Sequence, residues 1–233
     1  MVDGYIRLRY LTCQVVLWGL SLAESVQATP YRFEFVGGEP CLDFTNTVGG
    51  DRRATPNEHL HSYADLVAWA RQGDIVSPAQ ARALLLRAQR EPAAAADALA
   101  AAIELREALY RAFVAIAEGK RPATFDVERL NRALAEALAH RRVVQSGRGF
   151  ELGWDDSDDL RRMLWPVAAS AADLLADEHR APVKLCGMSE EGSCGWLFVD
   201  SSKNGSRRWC TMKDCGNRAK ARRHYARVKK QLT

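Results

Sequence analysis

Near the C-terminus stand four of the chain's six cysteines, Cys186, Cys194, Cys210 and Cys215, and no other feature narrows the possible folds as much. The spacing is Cys-x7-Cys, then fifteen residues, then Cys-x4-Cys. Zinc takes four tetrahedral ligands, and two close pairs of thiolates supply them from two chain segments. The stretch between the pairs predicts a hairpin. In Trp196-Leu197-Phe198-Val199 successive side chains point to opposite faces. Asn204-Gly205 is a strong turn signal, and Arg207-Arg208-Trp209 leads back to Cys210. A helix follows the second pair and places Cys215 at or near its first turn. Loop, hairpin and helix-borne ligand in that order make a treble-clef-like finger. Two disulfides, or four unrelated buried cysteines, are the plainer alternatives.

From Lys203 onward eleven lysines and arginines stand against one acid, Asp214. The preceding residues hold 22 basic and 28 acidic side chains, so the net charge of +4 conceals a mildly acidic body and a strongly basic tail. Such a tail calls for an anionic partner. On the helix after Cys215, Arg218, Arg222 and Lys229 form one basic row, and Lys220, Arg223, Arg227 and Lys230 form another. Arg207 and Arg208 extend the patch from the hairpin. These residues are the candidate contacts to a phosphate backbone, with a strong salt dependence expected. Ala221, Tyr225 and Val228 recur at helical spacing and are expected to pack on the hairpin. Trp209 suits a base stack or a place beside the metal equally well. His224 reads as a solvated side chain.

Upstream, the alternation of Tyr31, Phe33 and Phe35 predicts a short strand ended by Gly37-Gly38. Residues 41–48 read as helix, with strand as the alternative, and 51–56 as a loop. Amphipathic helices are predicted over 61–72, 78–90, 92–118 and 126–140. Ser77-Pro78 places a hydroxyl cap before proline at the first helical position. Residues 143–154 predict a β-hairpin. The acidic run Asp155–Asp159 is expected to open a helix reaching Glu178, kinked at Pro166. The fold class is therefore mainly α (α+β). A helical N-terminal domain with a small hairpin spans 31–180, and a zinc finger spans 183–230.

The stretches Cys-Gly-Trp-Leu-Phe-Val-Asp-Ser-Ser (194–202), Ser-Arg-Arg-Trp-Cys (206–210) and Cys-Gly-Asn-Arg-Ala-Lys (215–220) resemble the CGNR zinc finger. Gly-Gly-Glu-Pro-Cys-Leu-Asp-Phe-Thr-Asn-Thr-Val (37–48) and Leu-Arg-Glu-Ala-Leu-Tyr (105–110) resemble the ABATE domain found before it. The resemblance implies a bacterial transcription regulator induced by stress, held to bind DNA through its basic finger. The gap between Cys186 and Cys194 is long for that pattern, so a bulge is expected at Met188–Gly192.

Polar residues inside apolar runs mark a second candidate site. Asp43 and Asn46 sit among Leu42, Phe44 and Val48, and Arg106 lies in a helix with Ile103, Leu105 and Leu109. An Arg106–Asp43 pair is expected, with Asn46 satisfying nearby backbone. It serves either as a buried structural network or as a pocket for a small anionic effector. His59 and His61 read as surface histidines, and Cys41 as a buried small hydrophobe. No phosphate-binding loop and no Gly-x-Ser-x-Gly occurs, so an enzyme is not expected. No run of apolar residues is long enough to span a bilayer. Residues 1–30 form a leader, expected to be poorly ordered. Arg7, Arg9 and the interrupted apolar run Leu11–Leu22 are only weakly signal-like. The reading is a cytoplasmic, zinc-dependent DNA-binding regulator, with homodimerisation as an option. The alternatives are an RNA-binding protein and a structural or protein-docking finger.

Overall fold

Capping chemistry fixes the helical frame of this chain. The computed structural model describes residues 31–231 apart from 53, 178 and 180; the leader 1–30, with Cys13, lies outside the described residues. Helix α1 (Pro40–Thr45) opens on proline. Helices α2 (Tyr63–Gln72) and α3 (Pro78–Arg90) each begin with a full capping box, Ser62 with Asp65 and Ser77 with Gln80. Helix α4 (Pro92–Ala117) carries Leu105, Leu109 and Phe113 on its buried stripe, and α5 (Thr124–Ala139) buries Leu130 and Ala137. Helix α6 (Leu164–Ala176) is the most apolar of the set. Helices α1, α2, α3 and α5 pack on α4, and α6 closes over α1 and α5. The core between them is lined by Leu42, Phe44, Leu66, Trp69, Leu109, Phe113 and Met163. Phe44 and Trp69 meet there with ring centres 4.9 Å apart.

Three antiparallel strand pairs complete the described residues: β1 (Val48–Asp51) with β2 (Thr55–Glu58), β3 (Arg141–Ser146) with β4 (Gly149–Trp154), and β5 (Val183–Leu185) with β6 (Leu197–Val199). The protein is mainly α, as its sequence predicts, and the differences are local. Residues 31–36 form no strand. The Gln72 side chain holds them, accepting from Phe33 N (3.0 Å) and donating to Tyr31 O (2.8 Å). The expected loop at 51–56 is the turn and second strand of a hairpin, with Pro56 opposite Gly50. Proline is tolerated there because an edge strand can forgo one ladder bond.

The acidic run does not open a helix. Asp155 is taken by His140 (3.1 Å) and Arg142 (3.1 Å), and Asp158 by Arg87 (3.0 Å). Helix α6 begins later, so Pro166 falls in its first turn, where a missing N–H breaks no bond and makes no kink. The helix ends at Ala176, before the predicted Glu178.

The finger's hairpin is also paired differently. Strand β6 pairs with β5, upstream of the first cysteine, in the register Val183–Val199, Lys184–Phe198 and Leu185–Leu197. Residues 207–209 meet the first knuckle through one backbone bond, Gly187 N to Arg208 O (2.7 Å). Buried Asp200 explains the change. Its carboxylate accepts from Lys184 Nζ (2.6 Å), Ser202 Oγ (2.5 Å) and Arg207 N (3.0 Å), so side-chain bonds turn the chain where a strand ladder was expected. The alternation within β6 is as predicted. Leu197 and Val199 face the helical core, and Trp196 and Phe198 face the cysteines.

Asn46 pins β6 to the helices. Its amide donates to Leu197 O and accepts from Leu197 N, both at 2.9 Å and both buried. Asn46→Ala should therefore strand two buried backbone groups and lower the unfolding free energy by about 2–4 kcal/mol. Urea denaturation of the metal-loaded protein measures this.

Candidate metal centre and basic surface

Cys186 directly follows β5, and its N–H donates to Trp196 O (2.9 Å). Residues 187–193 then fold as a knot of tight turns, with Met188 fully buried as its plug. Cys194 closes this knuckle. Cys210 donates its N–H toward Cys186 Sγ at 3.5 Å. Cys215 lies on a wide helical turn, Met212–Gly216, capped by the Thr211 hydroxyl and running straight into α7 (Asn217–Gln231).

All four Sγ atoms are buried and lie within 4.8 Å of one another. The Cys194–Cys210 and Cys210–Cys215 separations are 3.8 and 3.5 Å. An ion held by four bonds of about 2.3 Å in a tetrahedron spaces its sulfurs about 3.8 Å apart, so the cluster fits a metal. The cysteines are free thiols, which sets the disulfide alternative aside. Their acidities point the same way. Hydrogen bonds from Cys194, Cys210 and Cys215 push the Cys186 thiol far down, and the contact with Cys186 pushes Cys194 and Cys210 up. On Cys215 the raising contact with Cys186 is outweighed by those with Cys194 and Cys210, so its thiol is lowered. Holding all four as thiolates in one small volume needs a cation among them.

The predicted basic residues separate into two groups. Arg207 is an internal strut: it donates to Trp209 O (3.0 Å), Val36 O (3.1 Å) and Cys210 O, with its guanidinium 4.2 Å from the Phe198 ring centre. Arg218 reaches Cys215 Sγ (3.3 Å) and Asp214 (3.3 Å), and Arg222 pairs with Glu191 of the knuckle. Arg208, Lys220, Arg223, Arg227 and Lys230 are exposed, with the guanidiniums of Arg208 and Arg223 beside the Trp209 ring. The predicted apolar stripe does not pack. Ala221 is exposed, and Tyr225 and Val228 are 73% and 39% exposed; only Ala219 of α7 is buried. The finger core is already filled by Met188, Phe198 and the cysteines, with Trp196 and Trp209 at its edge.

Asp43, Asn46 and Arg106 do not converge. Arg106 is buried and bidentate to Glu58 (2.7 and 2.6 Å), with further bonds to Glu107 (2.9 Å) and Thr47 (3.2 Å). Asp43 instead accepts from Gly37 N (2.7 Å), and burial pushes its carboxyl up to about 6. Gly37 tolerates no side chain: a Cβ there would lie 2.9 Å from the Asp43 backbone N. None of the three lines the main clefts. The partner Glu58 was missed because reading 51–56 as a loop hides the hairpin whose second strand ends at Glu58.

A further cleft, of about 710 Å³, escaped the sequence because it lies between α4 and the first knuckle. Arg52 lies over the Tyr110 ring at 3.7 Å along it. Gly195 allows this close approach, since a Cβ there would meet Arg52 Cγ at 2.9 Å.

Residues 38–178 match the family described as "ABATE: Putative stress-induced transcription regulator". Residues 183–228 match the CGNR zinc finger. No curated protein matches the chain.

Two outcomes follow from this geometry. The purified protein should carry one metal ion per chain by elemental analysis, and Cys215→Ser should lower that occupancy. In a double-mutant cycle, Arg106 and Glu58 should couple by about 1–3 kcal/mol, whereas Arg106 and Asp43 should be additive.

Proposed function

The chain belongs to the ABATE family and ends in a CGNR zinc finger, and on that premise we propose that it is a zinc-dependent, DNA-binding transcription regulator. The observation that carries this reading is α7. It holds Arg218, Lys220, Arg222, Arg223, Arg227, Lys229 and Lys230 with no acid, and buries only Ala219. A helix this polar gains almost nothing from core burial. Its like charges at i, i+4, such as Arg223 with Arg227, repel one another. A polyanion laid along it turns that repulsion into attraction and releases counterions.

The all-cysteine set supports zinc over harder ions, which prefer oxygen ligands. Bound zinc supplies the positive charge that lets the Cys186, Cys194, Cys210 and Cys215 thiolates share one small volume. The protein does the rest: Arg207 braces the second pair, and Cys215 fixes where α7 starts. The exposed cations Arg208, Lys220, Arg223, Arg227 and Lys230 contact phosphates. Such contacts position the finger on a duplex without reading bases.

The test is duplex DNA binding across a salt series. Replacing Lys220, Arg227 and Lys230 together by alanine should weaken binding and flatten the slope of log affinity against log salt by about 2–3 units. Chelation should abolish binding in the wild type, and the chelated metal should be zinc. Undiminished DNA binding after complete metal removal would sink this mechanism, and a triple variant with wild-type affinity would favour a protein-docking finger.

A further inference from the structure

Phe35 and Met212 are large apolar side chains left 39% and 60% exposed, and both line the same groove. Its volume is about 650 Å³. One wall comes from Phe35, Val36 and Gly38 before α1, the other from the finger segment through Trp209 and Met212. Neither module builds it alone. No carboxylate lines this groove, while Arg207 and Arg208 do. The guanidiniums of Arg208 and Arg223 stand 5.5 and 5.9 Å from the Trp209 ring centre. The larger cleft against α4 differs, because Asp51, Glu107, Glu118 and Glu190 interleave with its cations and cancel any preference for anions. A groove that is apolar, aromatic, free of acid and rimmed by arginine fits an aromatic ring that carries phosphate. An apolar peptide would leave the arginine rim unused, and a bare phosphate would leave Phe35 and Met212 unused.

We propose that this groove receives an unpaired nucleobase from a single-stranded stretch of nucleic acid, with the adjoining phosphates on Arg208 and Arg223. The proposal rests on the reading of α7 as a phosphate-binding helix. Arg223 links the two, since it belongs to α7 and also stands over Trp209. The source is a strand, not a free nucleotide, because the basic surface continues past the groove to Lys220 and Arg227 and can hold several successive phosphates. A base seated against Phe35, Trp209 and Met212 exchanges water for apolar contact whatever its identity, so this contact is tolerant of sequence.

The experiment compares a short mixed-sequence DNA strand with its own duplex, using the metal-loaded full chain at one fixed salt concentration. Phe35→Ala and Met212→Ala should each weaken strand binding about tenfold and leave duplex binding within about twofold. A strand carrying 5-iodouridine, irradiated in complex with the unaltered protein, should form adducts at Phe35, Trp209 or Met212. Equal losses on both substrates, no loss on the strand, or adducts confined to other residues overturn the groove and leave the role of α7 standing. A mononucleotide that displaces the strand at equal concentration overturns the assignment to a strand. A protein that binds neither form overturns the phosphate-binding role of α7 and the groove with it.

Discussion

Strand β6 is three residues long, and two cores depend on it. Leu197 and Val199 close the helical core, and Phe198 closes the core around the cysteines. A strand this short gains little from its ladder with β5 alone. The backbone groups that the ladder leaves over are met from the other side, Leu197 by the Asn46 amide and Val199 N by Gly37 O (2.8 Å). Both partners lie at the beginning of the described chain, some 150 residues away in sequence. The finger is thus not strung after the helices on a linker. Its central strand is built into them, and Trp196 adds a bond from its indole N–H to Val48 O (2.9 Å).

This arrangement answers a size problem. The buried residues of the finger core are Met188, Phe198, Ala219 and the four cysteines. So few apolar groups cannot offset the ordering of nearly fifty residues, and small modules of this kind borrow stability from a metal. Here the loan has a second source in the helical body. Arg207 ties both together, since one guanidinium bonds carbonyls of the metal-bearing segment and Val36 of the body. Loss of the ion would release the cysteine side of β6 while Asn46 still holds the other. The finger should then loosen by degrees from its metal end rather than detach.

What the sequence made legible follows the range of the interactions involved. Helices α2 and α3 are set by contacts three residues apart, Ser62 with Asp65 and Ser77 with Gln80, and both are readable from adjacent letters. The cysteine quartet was legible because ligand chemistry needs four donors and the finger offers four. The facing of β6 was legible because strand alternation is local. What failed was choice of partner across the chain. Arg106 was matched with Asp43 because both lie inside apolar runs, and only the β1–β2 hairpin, hidden by Pro56, brings Glu58 to it. The acids 155–159 looked like a helix start because dipole logic is local, yet His140, Arg142 and Arg87 claim them from a distance. The stripe Ala221, Tyr225 and Val228 has the right period but no apolar surface left to cover.

That unused stripe bears on how α7 works. The helix is anchored at its base, where Cys215 precedes it and Ala219 is buried, and its base cations are already committed: Arg218 to Asp214 and Cys215, Arg222 to Glu191. These pairs are partly exposed, so each contributes little to stability, about 0–1 kcal/mol. They nonetheless hold the proximal turns in one direction. Past them, Arg223, Arg227 and Lys230 recur along the helix with no acid among them, beside Tyr225, whose ring is in water. Positive charge is therefore not spread evenly over the finger. It is braced at the metal end and exposed at Arg223, Arg227 and Lys230, so an anionic partner should engage these distal turns and reach back toward Arg208 and Trp209. An ion that fixes Cys215 then does more than fold a small core, because it sets the angle at which that distal row is held.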